Sequence, residues 1–388
     1  MECVKEAAGN RSVRVLLNTR LLMCSNRAGI GFYVANLYHE LKEAGVDVVP
    51  TLDDASIALV RSIGDLSARM RTTFGKYYPP FVKKMGDAVY RRLHRKDAAA
   101  TPYDLYHETS LDPIPSIGAR SVCNVYDLAV MRFPELFTND FAKNVTPNIL
   151  RNILVSERVI VNTSFIRDEA IEILNIPPEK IDVIPLATAE CYGEAKDTSK
   201  VPGEVRKITR RNYLLYVGTV EPRKNLKTLI RAYKDVRAKF DVALVIAGGL
   251  GWLYDDIVSY PEKLGIGKDV VFTNYVNGGT LRALYQFASV FVYPSLYEGF
   301  GIPPLEAMAC GVPVIVSDIP PHREVSGDAA IFFDPADHEA LADAIARVLP
   351  DASLRADLKE KGISKASEYS WQKVAAETIR TYQKALRN

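Results

Sequence analysis

Two glutamates, Glu298 and Glu306, stand with seven residues between them in YPSLYEGFGIPPLEAMACGVPVIVSDIPP, residues 293–321. An adjacent cation pair, Arg223 and Lys224, lies upstream in GTVEPRKN. Paired cations beside a helix start suit a diphosphate, and carboxylates suit the hydroxyls of a sugar. Gly299 and Gly301 flank Phe300, so the backbone there can turn sharply and approach a ligand closely. Pro303 and Pro304 fit a first helical turn, and Gly311 fits the helix end. Phe300 and Gly301 can offer backbone N–H groups to the anion that Arg223 and Lys224 attract. Glu306, in the first turn, can accept hydrogen bonds from a ribose diol; complementing the helix dipole is its simpler role. Glu298 has no helix of its own to complement, which points to hydroxyl binding or charge stabilisation.

These groups meet only if strands deliver them to one sheet edge. Both loops directly follow apolar runs, YLLYVGT before Arg223 and SVFVYPS before Glu298. LLYVG, ALVIAG, VFVYP and PVIVSD are apolar throughout, as parallel strands covered on both faces must be. Helical segments alternate with them: NLKTLIRAYKDVRAKF, a stretch near 252–264, GTLRALYQFA, then 338–349 and 351–366. In an open sheet of this kind ligands sit at the carboxyl ends of the strands.

An earlier set of alternating elements starts with RVLLNT, a loop ending Gly29-Ile30-Gly31, the amphipathic FYVANLYHELKEAG and a strand at 46–52. It continues through strands near Leu105, at 121–126, in ERVIVNT and in IDVIPL, with helices around 138–154 and in SFIRDEAIEILN. The Gly29–Gly31 turn lacks the third glycine of GxGxxG, and so does GTVEPRKN, which disfavours a dinucleotide-dependent oxidoreductase. A plain tight turn is its simpler reading. Residues 193–210 are polar, basic and without apolar periodicity, the best linker in the chain. The expected domains are therefore residues 1–200 and 201–370, with an amphipathic segment at 371–388 beyond the second.

Residues 60–96 differ from the rest, with ten Lys or Arg opposed by Asp65 and Asp87 and interleaved with Phe74, Tyr77, Tyr78, Phe81 and Tyr90. That mixture suits an anionic membrane surface, and equally a solvated helical face with a few packing aromatics. No RNA-binding module signature accompanies it. The 388 residues allow two cores, and a formal charge of +2 argues against a dedicated nucleic-acid binder. No run approaches a spanning length, and charges interrupt the N-terminus where a signal peptide needs its apolar core. Five scattered cysteines without CxxC spacing fit a reducing cytoplasm and no zinc site.

GTVEPRKN, followed about 70 residues later by YEGFGIPPLEAMACGVPVI, resembles the donor-binding domain of the retaining glycosyltransferases of family 4. Within that family it is most similar to the mannosyltransferases and related enzymes of bacterial surface-polysaccharide assembly. AGG at 247–249 and REVSGDAAIFFDP extend the likeness through the second domain; GIGFYVANL, NVYDLAVMRFPE and VNTSFIRDEAI carry a sparser one in the first. The resemblance implies an α/β, GT-B architecture: two doubly wound Rossmann-like domains facing a cleft, with the terminal helix crossing back to the first. Lys224 and Arg223 would neutralise the leaving diphosphate, Glu298 would contact the donor sugar, and Glu306 the ribose. The backbone from Gly299 to Ile302, with Pro303 and Leu305, would line sugar and phosphate, and Gly218, Thr219 and Gly248 would border them. Tyr275 and Val276 would bound the nucleobase, and Gly31 would reach the diphosphate from across the cleft.

Two positions depart from the family pattern. Thr219 stands where many members have Arg, a charge that Arg223 is placed to supply. Tyr126-Asp127 stands where many have His-Asp; a Tyr cannot titrate near neutrality but can donate a hydrogen bond to a sugar hydroxyl. His107, at a strand's carboxyl end, is a candidate for the acceptor cleft, although a lone His is more often a satisfied polar residue. His39, His94, His322 and His338 show no pattern. The implied reaction is retaining transfer of a hexose, mannose from GDP-mannose first, to a glycan or lipid-linked glycan at the cytoplasmic membrane face, with no metal. A non-transferring sugar-nucleotide enzyme and a catalytically silent assembly subunit are the alternatives.

Overall fold

The computed structural model describes residues 13–23, 29–51, 103–115, 118–188 and 212–387. The basic, aromatic segment at 60–96 and the linker at 193–210 lie outside the described residues. The first sheet is built from β1 (Arg14–Leu17), β2 (Asp47–Pro50), β3 (Leu105–Glu108), β4 (Arg120–Val125), β5 (Arg158–Val161) and β6 (Ile181–Val183). Its order is β2-β1-β3-β4-β5-β6 and every pairing is parallel. The second contains β7 (Tyr213–Val217), β8 (Ala243–Ala247), β9 (Val270–Asn274), β10 (Val290–Tyr293), β11 (Val314–Ser317) and β12 (Ala330–Phe333). It is also parallel, in the order β12-β11-β10-β7-β8-β9. All residues of β7, β8 and β10 are buried, because helices cover both faces.

The longer helices are α1 (Ile30–Glu43), α2 (Asn139–Val155), α3 (Ser164–Leu174), α4 (Leu226–Arg237), α5 (Gly278–Phe287), α6 (Ile302–Ala309), α7 (Pro320–Ser326), α8 (His338–Val348), α9 (Ala352–Ser367) and α10 (Trp371–Arg387). Their apolar stripes do the covering: α4 buries Leu226, Leu229, Ile230, Tyr233 and Val236 at helical spacing and leaves its charges outside. The helix expected over 252–264 is two one-turn helices, Asp255–Val258 and Tyr260–Lys263. Pro261 has no N–H for a continuous ladder.

The final helix returns to the first sheet. The Trp371 ring meets Phe32 and Tyr33 of α1 at 5.8 and 6.0 Å, and Arg120 at the start of β4 donates to the Ala385 carbonyl. The carboxyl ends of the two sheets face one another and touch. Tyr297, from the loop after β10, sits in the apolar core of the first domain among Leu128, Val130 and Ile166. Its hydroxyl pairs with Glu169 and accepts from the Leu128 N–H. Trp252 stacks on Phe137 and Phe141 and donates to the Leu136 carbonyl. Glu324 of α7 accepts from the N–H groups of Ser164 and Phe165 at the start of α3. Among the described residues no helix is long and apolar enough to cross a membrane.

Candidate active site

Strand order in the second sheet reverses at β7: β8 and β9 lie to one side, β10 to β12 to the other. Loops leaving β7 and β10 therefore diverge, and a crevice opens between them. Arg223 and Lys224 come from the first loop and Glu298 from the second. Lys224 Nζ lies 2.5 Å from Glu298 Oε1 and 3.0 Å from the Tyr293 hydroxyl. Arg223 Nη1 donates to Glu298 Oε2 at 3.1 Å and to the Tyr297 carbonyl at 2.9 Å, while Nη2 donates to Glu221 at 2.7 Å. All four charged side chains are nearly enclosed. Burial by itself would push the Glu298 carboxyl up, but Lys224 and Arg223 outweigh it and hold the group well below the usual carboxylate range. Burial and the Arg223 charge pull Lys224 down, against Glu298 and Glu221. Burial also raises Glu221, which Arg223 and Lys224 oppose.

The remaining donor-side candidates divide between backbone and packing roles. Gly301 caps α6 with a φ of 102°, Ile302 begins the helix and Pro303 fills its first turn. The Phe300 ring is buried against Tyr369, and Leu305 points into the core, so neither offers its side chain to a ligand. Glu306 is buried in α6 and accepts from the Tyr285 hydroxyl at 2.8 Å. Gly248 serves packing: a Cβ there would stand 2.0 Å from the Gly218 carbonyl oxygen, where the β7 and β8 ends converge. Thr219 follows Gly218, and its carbonyl accepts from Tyr216. Tyr275 is 44% exposed beyond β9, and Val276 packs partly against the core.

Gly299 makes the closest approach to the first domain. A Cβ on it would lie 1.8 Å from the Tyr126 carbonyl oxygen, and its own carbonyl accepts from Thr163 Oγ1 at 3.0 Å. Tyr126 donates its hydroxyl to the Thr109 carbonyl at 2.8 Å, and Asp127 Oδ1 accepts from the Ala129 N–H at 3.0 Å. Asp127 and Arg223 border a cavity of about 180 Å³ between the domains, walled mainly by Phe137, Phe141, Val145 and Trp252.

Gly31, at the end of a loop by its sequence, lies instead in the first turn of α1, which Gly29 caps, and Ile30 beside it lines the cavity. One expectation on this side is corrected: His107 is not in the cleft. It is fully buried, with Nδ1 2.7 Å from the Tyr382 hydroxyl and Nε2 2.6 Å from Asn124 Oδ1, and burial pushes its pKa down to about 4. A strand's carboxyl end places a residue near the crevice, but the pleat decides which way the side chain faces.

The family model for glycosyl transferases group 1 matches residues 197–365. O-antigen chain mannosyltransferase B of Escherichia coli is 30% identical over 345 residues, which are 87% of this chain and 87% of that protein. This chain is a group 1 glycosyltransferase. Its fold is GT-B, as in the sucrose-phosphate synthase of Thermosynechococcus elongatus (TM-score 0.71, 20% identity, covering 96% of this chain and 98% of the other). Anabaena HepE, solved with UDP-glucose, superposes with a TM-score of 0.70 at 16% identity, covering 95% of this chain and 99% of the other.

In the glycosyltransferase the cation pair keeps donors in reserve. Lysine has three N–H donors and arginine five. Lys224 uses two and Arg223 three on the partners named above, and Arg223 Nε is buried with no partner among the described residues. Sequence reasoning passed over Glu221 and Tyr293. Glu221 was legible as the carboxylate two residues before Arg223; nothing marked Tyr293, whose partner Lys224 is 69 residues away.

Proposed function

We propose that this glycosyltransferase transfers mannose from GDP-mannose, with retention of configuration, to a glycan or lipid-linked glycan in bacterial surface-polysaccharide assembly. The observation that carries the reading is the buried Arg223–Lys224–Glu298 cluster at the strand-order reversal, with N–H donors unspent among the described residues. The name of the Escherichia coli relative supports mannose and a surface glycan. As the bond to the anomeric carbon breaks, charge builds on the diphosphate. Lys224, Arg223 and the N-terminus of α6 stabilise it from fixed positions, in the role a metal ion plays elsewhere. Ion pairing holds Glu298 ionised, so it accepts hydrogen bonds from sugar hydroxyls and takes no proton. The acceptor hydroxyl attacks from the face the diphosphate leaves, so no protein nucleophile is needed. The acceptor enters from the Tyr126–Asp127 side, and the enzyme works at the inner face of the cytoplasmic membrane.

Incubation with a panel of sugar nucleotides, with and without a lipid-linked glycan extract, tests this. GDP-mannose should give acceptor-dependent release of GDP and an α-configured product. Turnover of another sugar nucleotide replaces the donor; release without transfer points to a non-transferring enzyme. No release under any condition points to a silent subunit.

A further inference from the structure

His322 lies in α7, 1% exposed, and packs its ring on Tyr293 with centroids 5.6 Å apart. Its Nδ1 is 2.9 Å from the Ser317 carbonyl oxygen and 3.2 Å from Ser317 Oγ, which itself donates to the Ser295 carbonyl. A carbonyl oxygen only accepts, so the ring proton belongs on Nδ1 and Nε2 is left as a bare acceptor. Burial disfavours the charged ring and keeps it in that neutral form. Nε2 is buried without a hydrogen-bond partner among the described residues. It looks across the gap at Gly301: a Cβ on that glycine would lie 3.3 Å from His322 Cδ2 and 3.5 Å from Nε2. Tyr293, whose ring packs on His322, accepts from Lys224 Nζ, so the unpartnered nitrogen belongs to the Glu298 end of the crevice.

A buried acceptor without a donor is costly, and the molecule that fills the crevice decides whether the cost persists. Diphosphate oxygens bring only acceptors at neutral pH and cannot satisfy Nε2. A sugar hydroxyl can. On the nucleotide-sugar reading Glu306, held by Tyr285, takes the ribose end, whereas His322 packs on the tyrosine that holds Lys224 opposite Glu298. We propose that His322 Nε2 accepts a hydrogen bond from one hydroxyl of the transferred hexose and so helps to set which sugar is accepted. The inference rests on the nucleotide-sugar reading above and deepens it. A hexose whose hydroxyl points elsewhere, or is missing, leaves the nitrogen unpaired and is rejected for that reason.

The test combines His322→Leu with GDP-mannose and its monodeoxy analogues, one hydroxyl removed at a time; the best donor of the panel substitutes if it is another sugar. On the parent donor the substitution should lower kcat/KM roughly ten- to a hundred-fold, the range expected for losing one buried hydrogen bond. On one analogue alone it should have no further effect, because the two deletions remove the same contact. Affinity for GDP should stay within about twofold, as a sugar contact predicts. An equal loss on every analogue, no loss on any, or a fall in GDP affinity overturns the proposal. If the leucine variant does not fold, His322→Gln is put through the same series, and undiminished dependence on every hydroxyl overturns it equally. A wild-type enzyme that turns over no sugar nucleotide overturns the donor reading; turnover without a His322-linked hydroxyl overturns only this inference.

Discussion

The two sheets reverse strand order at different places, and the crevices they create are filled in opposite ways. In the first, between β1 and β3, Glu108 accepts from Asn18 Nδ2, Ser110 N, Ser110 Oγ and the Tyr106 hydroxyl, while Arg20 pairs with Asp112. Burial lifts the Glu108 carboxyl to about 7, and its neighbours' hydrogen bonds only partly offset this. In the second, between β7 and β10, two cations face two carboxylates and still hold unspent donors, alongside the nitrogens of Arg223 and His322 that have no partner among the described residues. One architecture thus yields a polar plug that satisfies itself and an enclosed polar site with hydrogen-bonding capacity to spare. The difference is whether the polar groups consume one another or leave capacity for a ligand.

Replacing Lys224 with Ala should have the largest effect. Nucleoside diphosphate release is expected to fall about a thousand-fold or more, the scale for removing one preorganised charge from a transition state, while circular dichroism shows an intact fold. Retained activity would break the assignment of the second crevice as the active one. Gly299→Ala comes next. Its methyl would collide with the Tyr126 carbonyl, so the cleft cannot close fully, and kcat should fall about a hundred-fold, as for a small misplacement of reacting groups, with donor affinity measured by calorimetry nearly unchanged.

Glu108→Gln should reverse the pattern: about 1–3 kcal/mol of stability lost by urea denaturation, with kcat/KM within a few-fold of wild type. Lost turnover at full stability would show that the first crevice also does chemistry. His107 comes last, and its effect touches stability only, not turnover. The folded protein holds it neutral down to about pH 4, whereas the unfolded chain takes up a proton near 6.5. Fewer protons bound in the folded state means that acid favours unfolding. Relative to His107→Gln, the wild type should lose up to about 1.4 kcal/mol per pH unit between those values, read from denaturation at a series of pH values; parallel curves would remove His107 from the buried core.

Much of the second domain was legible because a parallel strand covered on both faces must be an unbroken apolar run, and YLLYV, ALVIA and VFVY are such runs. Glu298, Arg223 and Lys224 were legible because short loops at strand ends concentrate them. His322 was not: nothing near it in sequence marks it, and its meaning comes from Tyr293 and Gly301, at the two ends of the connection from β10 to α6, whereas His322 itself follows β11. His107 misled for the converse reason. Its position at a strand end is local information, but its partner Tyr382 lies 275 residues on, in a helix that returns from the other domain.

The sequence by itself determined the alternation of strands and helices, the family, and which loops carry charge, since periodicity and short-range spacing are properties of the chain. Only the tertiary structure decided that Glu298 bridges both cations, that Gly299 rests on Tyr126, and that one crevice is satisfied while the other is not. Those facts depend on which groups of distant segments come within hydrogen-bond reach, and packing alone sets that distance.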